Sequence, residues 1–326
     1  MKKDVLINWR TNELASRSPQ RRWTGTVERR PATDPAERRK GVLLLVTVVL
    51  VWGLFWPVNK VVLESLTPLW SLALRSAIAV VALFGVALAC GRLVVPPRAD
   101  LPVLISITLL HIVGFTVLST WALQILPAGR SAVLAYTTPL WVTPGATLFL
   151  REPLTVRRAV GVAIGLLGLF VLFNPLAFDW SDGTVVVANA AILLAALMWA
   201  ASILHIRGHR WQSTPFALVP WEFLLATVIL TSLALVFDGV PVVAWNARLV
   251  SMLLFLGIPG TALAYWAIAM ASRHLPAVTT SLGLLGTPVV SIIFATLWLQ
   301  ESPSFSLVAA IFLILCGVAI GTTGNR

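Results

Sequence analysis

Apolar residues run along this chain in long stretches separated by short polar ones, and their length identifies the element they build. Ten stretches stand out, at about 41–62, 68–90, 101–123, 128–149, 158–174, 184–206, 215–237, 249–271, 277–299 and 304–322. Each is near the roughly 20 residues that a helix rising ~1.5 Å per residue needs to cross a ~30 Å hydrocarbon core. Barrel strands would instead show alternating segments of ~10 residues. The pattern predicts an all-α integral membrane protein with ten transmembrane helices. The third and eighth have the least sharply defined ends.

The pattern also repeats. Pro127-Ala128, Thr138-Pro139, Glu152 and Gly168 recur as Pro276-Ala277, Thr287-Pro288, Glu301 and Gly317, always 149 residues on. Over the 42 positions of this frame eleven are identical, and no gap is needed. At the start of each half Trp52, Lys60, Pro68 and Arg75 answer to Trp199, Arg207, Pro215 and Glu222 at a shift of 147. Five helices per half is an odd number, so the second half enters the membrane from the opposite side. Two inverted five-helix repeats are the expectation, an arrangement that secondary transporters use for alternating access.

Composition agrees with the class. Hydrophobic residues make up 58% and charged residues 11% of the chain, with a mean hydropathy of +0.89. A water-soluble surface would need about 25% charged residues. The net charge of +11 is mostly local: residues 1–40 hold eleven Lys and Arg against five acids and show no apolar periodicity. They read as a disordered cytoplasmic tail, suited to anionic lipid and not to nucleic acid. Beyond the tail, Arg92, Arg98, Arg151, Arg157, Arg158, Arg207, Arg210, Arg273 and Arg326 fall on one side, and Lys60, Arg130 and Arg248 on the other. Basic loops stay inside, which puts both termini in the cytoplasm. Cys90 and Cys316 read as small buried hydrophobes with no metal site around them.

The segment Trp52-Gly53-Leu54-Phe55-Trp56-Pro57-Val58-Asn59-Lys60, with Pro68 and Arg75, resembles the first-helix signature of EamA-domain proteins in the drug/metabolite transporter superfamily. Leu126-Pro127-Ala128-Gly129-Arg130 through Tyr136-Thr137-Thr138-Pro139, Arg151-Glu152-Pro153-Leu154 and the helix with Gly161, Gly165 and Gly168 match it further. The second half departs from it: Ala-Ala-Ser follows Trp199, and Glu222 stands at the counterpart of Arg75. The resemblance implies a first EamA-like repeat over 41–175 and a second over 184–322. It also implies a secondary transporter in a bacterial inner membrane, an exporter or importer of small metabolites such as amino acids or related solutes, with export the reading preferred. The partners expected are a small-molecule solute, the lipid bilayer and protons as a candidate coupling ion, with the chain a monomer or homodimer and no cofactor.

Candidate chemistry is sparse. Arg75 and Glu222 each lie about seven residues into a helix. Charge inside a bilayer costs on the order of 3 kcal/mol, so such groups face the protein interior. Arg75 suits a carboxylate by bidentate bonding. Glu222 is the candidate proton-coupling carboxylate, because a carboxylate out of water binds a proton more readily. The competing reading pairs Glu222 with Arg207 or Arg210. Pro139, Pro144 and Pro288 would kink the fourth and ninth helices, lining a cavity or serving packing.

Of fourteen tryptophans, Trp56, Trp70, Trp180 and Trp245 suit the interfacial belt. Asn59, Trp121, Tyr136, Trp199, Tyr265 and Trp266 are the remaining candidate wall residues of a solute site. His111 and His205 read as structural. The glycine helix reads as a close-packing face. No Gly-Lys dipeptide, His-Glu-x-x-His or Gly-x-Ser-x-Gly occurs, so nucleotide hydrolysis, zinc hydrolysis and serine chemistry lack their residues. The second reading, a polytopic enzyme or receptor-like scaffold, would need a catalytic set that is absent.

Overall fold

The computed structural model describes residues 35–91, 93–173, 180–275 and 277–322. All regular structure among them is helical. The tail expectation for residues 1–40 lies largely outside the described residues. Its last residues are not irregular, because α1 (Pro35–Val62) already starts at a proline, a residue that fits the first helical turn. Glu37 then bonds Lys40 at 2.7 Å and His274 at 3.0 Å, which ties that first turn to the protein.

α2 (Pro68–Ala89) is capped by the Thr67 hydroxyl, and its Pro68 occupies the first turn. The third stretch is one helical rod in pieces: α3 (Leu101–Ser106), a π-helical segment over Ile107–Phe115, and α4 (Thr116–Ile125). The fourth breaks into α5 (Ala128–Ala135) and α6 (Thr138–Leu150). Pro139 has no backbone N–H to donate across the break. α7 (Val156–Leu172) ends the first half. In the second half follow α8 (Gly183–Gly208) and α9 (Pro215–Phe237). α10 (Ala247–Gly257), a π segment over Ile258–Leu263 and α11 (Ala264–His274) form another segmented rod. α12 (Ala277–Leu284), α13 (Gly286–Leu299) and α14 (Phe305–Thr322) complete the chain.

Seven helical stretches among the described residues are long and apolar enough to cross a membrane. The expected spans at 128–149, 158–174 and 304–322 are helical but broken or shorter. Cys90 follows the end of α2 and is exposed, contrary to the expectation of burial, since the helix has already stopped there.

The halves interlock helix by helix: α7 packs along α14, α2 along α9, α6 and α4 against α8, and α1 against α11 and α13. Glycine sets the closest of these approaches. A Cβ at Gly161 would meet Gly321 N at 2.8 Å, and one at Gly168 would meet Ala310 O at 2.9 Å. Backbone therefore lies on backbone, as small-residue helix packing in membranes requires.

Local geometry recurs at the 149-residue interval. Arg151 and Gln300 end α6 and α13 in the left-handed region, at φ 55° and 57°. The next amide in each case, Glu152 and Glu301, reaches back to Ala146 O and Ala295 O, both at 3.2 Å. The break at Tyr136 has its counterpart at Leu285.

Candidate functional site

A cavity of about 300 Å³ lies between elements of both halves. One wall is α1. Trp52, Phe55, Trp56 and Asn59 stand at intervals of three and four and so share a face. The π segments supply two more walls. In a π turn the carbonyls no longer follow the i−4 ladder, which leaves acceptors for side chains. Trp52 Nε1 donates to Gly260 O at 3.1 Å, inside the second π segment, and Thr261 Oγ1 donates to Leu256 O at 2.8 Å. The first holds the tryptophan edge in place, and the second closes a turn of the π segment.

The far wall is a nest of rings. His111, in the first π segment, stacks on Trp199 of α8, with centroids 5.0 Å apart and planes within 6°. Phe115 leans on the same Trp199 at 5.0 Å, and Tyr136 meets it edge-on at 6.2 Å. Tyr265 of α11 touches Trp52 at 6.2 Å and Phe223 at 5.7 Å, both edge-on. Such T-shaped and offset contacts are the favoured aromatic geometries.

Polar groups are few and mostly satisfied. Asn59 receives the Ser71 hydroxyl at 3.4 Å and donates to Thr120 at 3.5 Å. Arg75 differs. Its guanidinium lies 4.9 Å over the Phe55 ring and is 8% exposed, and its Nη1 has no hydrogen-bond partner. No ion pair to it is found among the described residues.

Of the candidates named from sequence, Asn59, Arg75, Tyr136, Trp199 and Tyr265 line this cavity together. Glu222 does not. It is 3% exposed and lies within electrostatic reach of Tyr265, and no hydrogen bond to its carboxylate is found among the described residues. The pairing with Arg207 does not form, because Arg207 bonds Glu152. Trp121 and Trp266 are not among the residues lining the cavity and are 36% and 42% exposed. Pro139 sits in the first turn of α6, and Pro288 near the start of α13, both off the wall. Trp56, read as a belt residue, is buried in the cavity wall, because the α1 face it shares turns inward. His111, read as structural, lines the site, on a π turn whose register the helical period does not follow.

Outside the cavity two carboxylates carry more than sequence suggested. Asp100 is fully buried and accepts from Gln212 N at 3.1 Å and from Ser213 N and Oγ at 2.8 and 2.7 Å, with His209 Nε2 at 2.9 Å. Glu222 is therefore not the only buried acid. Glu301 accepts from the first amides of α5, Ala128 N at 2.7 Å and Gly129 N at 3.2 Å, with Lys60 at 3.9 Å. No cluster of His, Cys, Asp and Glu able to hold a metal is found among the described residues.

A multi-pass helical membrane protein with a ring-lined cavity between its halves is what this geometry defines. The chain belongs to the EamA-like transporter family, whose model matches residues 39–174 and again 187–323. It is similar to the uncharacterized transporter YoaV of Bacillus subtilis, 26% identical over 87% of this chain and 97% of that one. A probable terminal-alkyne amino-acid exporter of Streptantibioticus cattleyicolor is 28% identical over 87% and 92% of the two chains. A solved crystal structure shares the fold at a TM-score of 0.63 and 23% identity, covering 87% of this chain and 97% of its own. Family and relatives point to a transporter and not to an enzyme.

Proposed function

We propose that this chain exports a small metabolite, an amino acid or related solute, across a bacterial inner membrane by alternating access. The observation that carries the reading is the cavity walled by both halves, with Arg75 in its wall and no ion pair to that cation among the described residues. Ten spans in two inverted five-helix repeats, with both termini in the cytoplasm, supply the moving parts. Support comes from the 149-residue recurrence of helix breaks and left-handed caps. The amino-acid exporter among the relatives supports the solute class.

The two capping carboxylates suit alternating closure. Glu301 pins the start of α5, while its counterpart Glu152 bonds Arg158 at 3.3 Å and Arg207. In the mirrored state Glu152 would take the start of α12, and Glu301 would let go. Each closure then uses one charge-assisted cap.

Protons are the proposed coupling ion, and Glu222 their carrier: a carboxylate buried without a hydrogen bond is far costlier charged than neutral. The test is flux of a metabolite panel in proteoliposomes, with and without a proton gradient. Glu222→Gln keeps the shape and removes the titration. Gradient-driven accumulation is expected to vanish while downhill exchange persists. An unchanged pH profile with intact accumulation leaves facilitated diffusion as the mechanism, and no flux of any solute removes the transporter reading.

A further inference from the structure

The cavity's polar groups are lopsided. Among the described residues its lining holds a guanidinium and no carboxylate, and the buried Glu222 is not part of it. Of the wall hydroxyls, Thr120 Oγ1 accepts from Asn59 and Ser119 Oγ donates to Thr116 O at 3.3 Å, and neither carries the negative charge that would pair with a charged donor. The Arg75 guanidinium is held flat by Phe55, and its Nη1 is buried without a partner. A buried donor left unmade is costly, and a planar carboxylate satisfies a guanidinium fork with two parallel bonds. The rest of the wall offers ring faces, and His111 and Trp199 stack nearly parallel, 6° apart. At about 300 Å³ the cavity is at the lower end of small-molecule sites, roughly 300–1,000 Å³, which suits one or two fused rings.

We infer that the preferred solute is an aromatic monocarboxylate without a free ammonium group: the carboxylate on Arg75, the ring among Trp52, Tyr265 and the His111–Trp199 stack. The inference rests on the cavity being the solute site, and within the proposed class it selects a related carboxylate over an amino acid itself. An amino acid would bring a second charge, the ammonium, for which the wall has no anion.

A ring-matched series separates charge from ring: phenylacetate, phenylacetamide, phenethylamine and phenylalanine. These rings do not absorb where tryptophan is excited selectively, so quenching of the wall tryptophans reports binding to the purified full-length protein. Phenylacetate is expected to bind about tenfold or more tighter than the amide, the amine or the zwitterion, the range of a charge-assisted pair. In Arg75→Gln that preference is expected to collapse to the level of the amide, and Arg75→Lys is expected to recover part of it. If Arg75→Gln does not fold, the wild-type series still decides. Phenylalanine or phenethylamine binding as tightly as phenylacetate overturns the inference, and so does an absence of quenching by all four. Counterflow of the same compounds in proteoliposomes keeps the two readings apart. Binding with carboxylate preference but no flux sinks transport and leaves the site. Flux without carboxylate preference sinks the solute class and leaves transport.

Discussion

Gly317 has no room for a side chain. A Cβ there would meet the Gly161 carbonyl, and Gly165 N at 2.6 Å, and neither backbone atom can swing aside. Gly317→Ala must therefore part α14 from α7, and overpacking of this kind costs about 1–3 kcal/mol. A lowered melting temperature in detergent is expected. Gly321→Ala, whose Cβ would meet nothing within 4 Å, serves as the control and should melt like wild type. Equal melting of both variants would show that the helices give way easily. The close-packing role of Gly161, Gly165 and Gly168 was readable from spacing alone, because four- and three-residue steps share a helix face. The cavity residues were half readable. Trp52, Phe55, Trp56 and Asn59 form a visible face of α1, yet a Trp beside lipid and a Trp beside a cavity look the same in one dimension. His111 was hidden for a different reason: the π turn over Ile107–Phe115 shifts the helical register, so periodicity misassigns the faces there.

Helix starts and stops carry the next level of the argument. Glu152 and Glu301 stood out in sequence as members of the repeated frame, but nothing local said what they would bond. Their partners come from other helices: α5 for Glu301, and Arg207 of α8 for Glu152. The breaks were better marked, since Thr138-Pro139 and Thr287-Pro288 sit just past Tyr136 and Leu285. If Glu301 is a closing latch, removing it should loosen one end of the molecule only. A cap is worth roughly 0.5–2 kcal/mol, enough to shift a two-state population several-fold. With a single cysteine at Ser119 in the cavity wall, Glu301→Ala is expected to raise labelling by an impermeant maleimide from outside several-fold. Glu152→Ala is expected to leave outside labelling unchanged or lower it. Identical labelling rates in all three proteins would reduce Glu301 to a structural cap.

The chain as a whole poses the question of orientation. Membrane class and helical content were legible because lipid tolerates only helices or closed barrels, and ten apolar stretches without alternation exclude the barrel. The pairing of helices across the halves was not legible, since apolar faces in lipid carry no signature of their partner. Inversion remains the boldest reading, and it has a direct test. Pro153 and Ser302 are counterparts at the 149-residue interval, both exposed, each just past a left-handed cap. On the proposed ten-span reading five helices lie between corresponding points of the two halves, so the two positions should face opposite sides. The proposed orientation has Pro153 inside, among Arg151, Arg157 and Arg158, and Ser302 outside, in a stretch of sequence with no Lys or Arg between Arg273 and Arg326. With Cys90 and Cys316 replaced by serine, Ser302→Cys is expected to react with an impermeant maleimide in intact cells. Pro153→Cys should react only after permeabilisation. Repeats related by an axis along the membrane normal would put both on one side, and both cysteines would then label together. That outcome would also take away the pairing of Glu152 with Glu301 as opposite closures, because two latches on the same face cannot alternate.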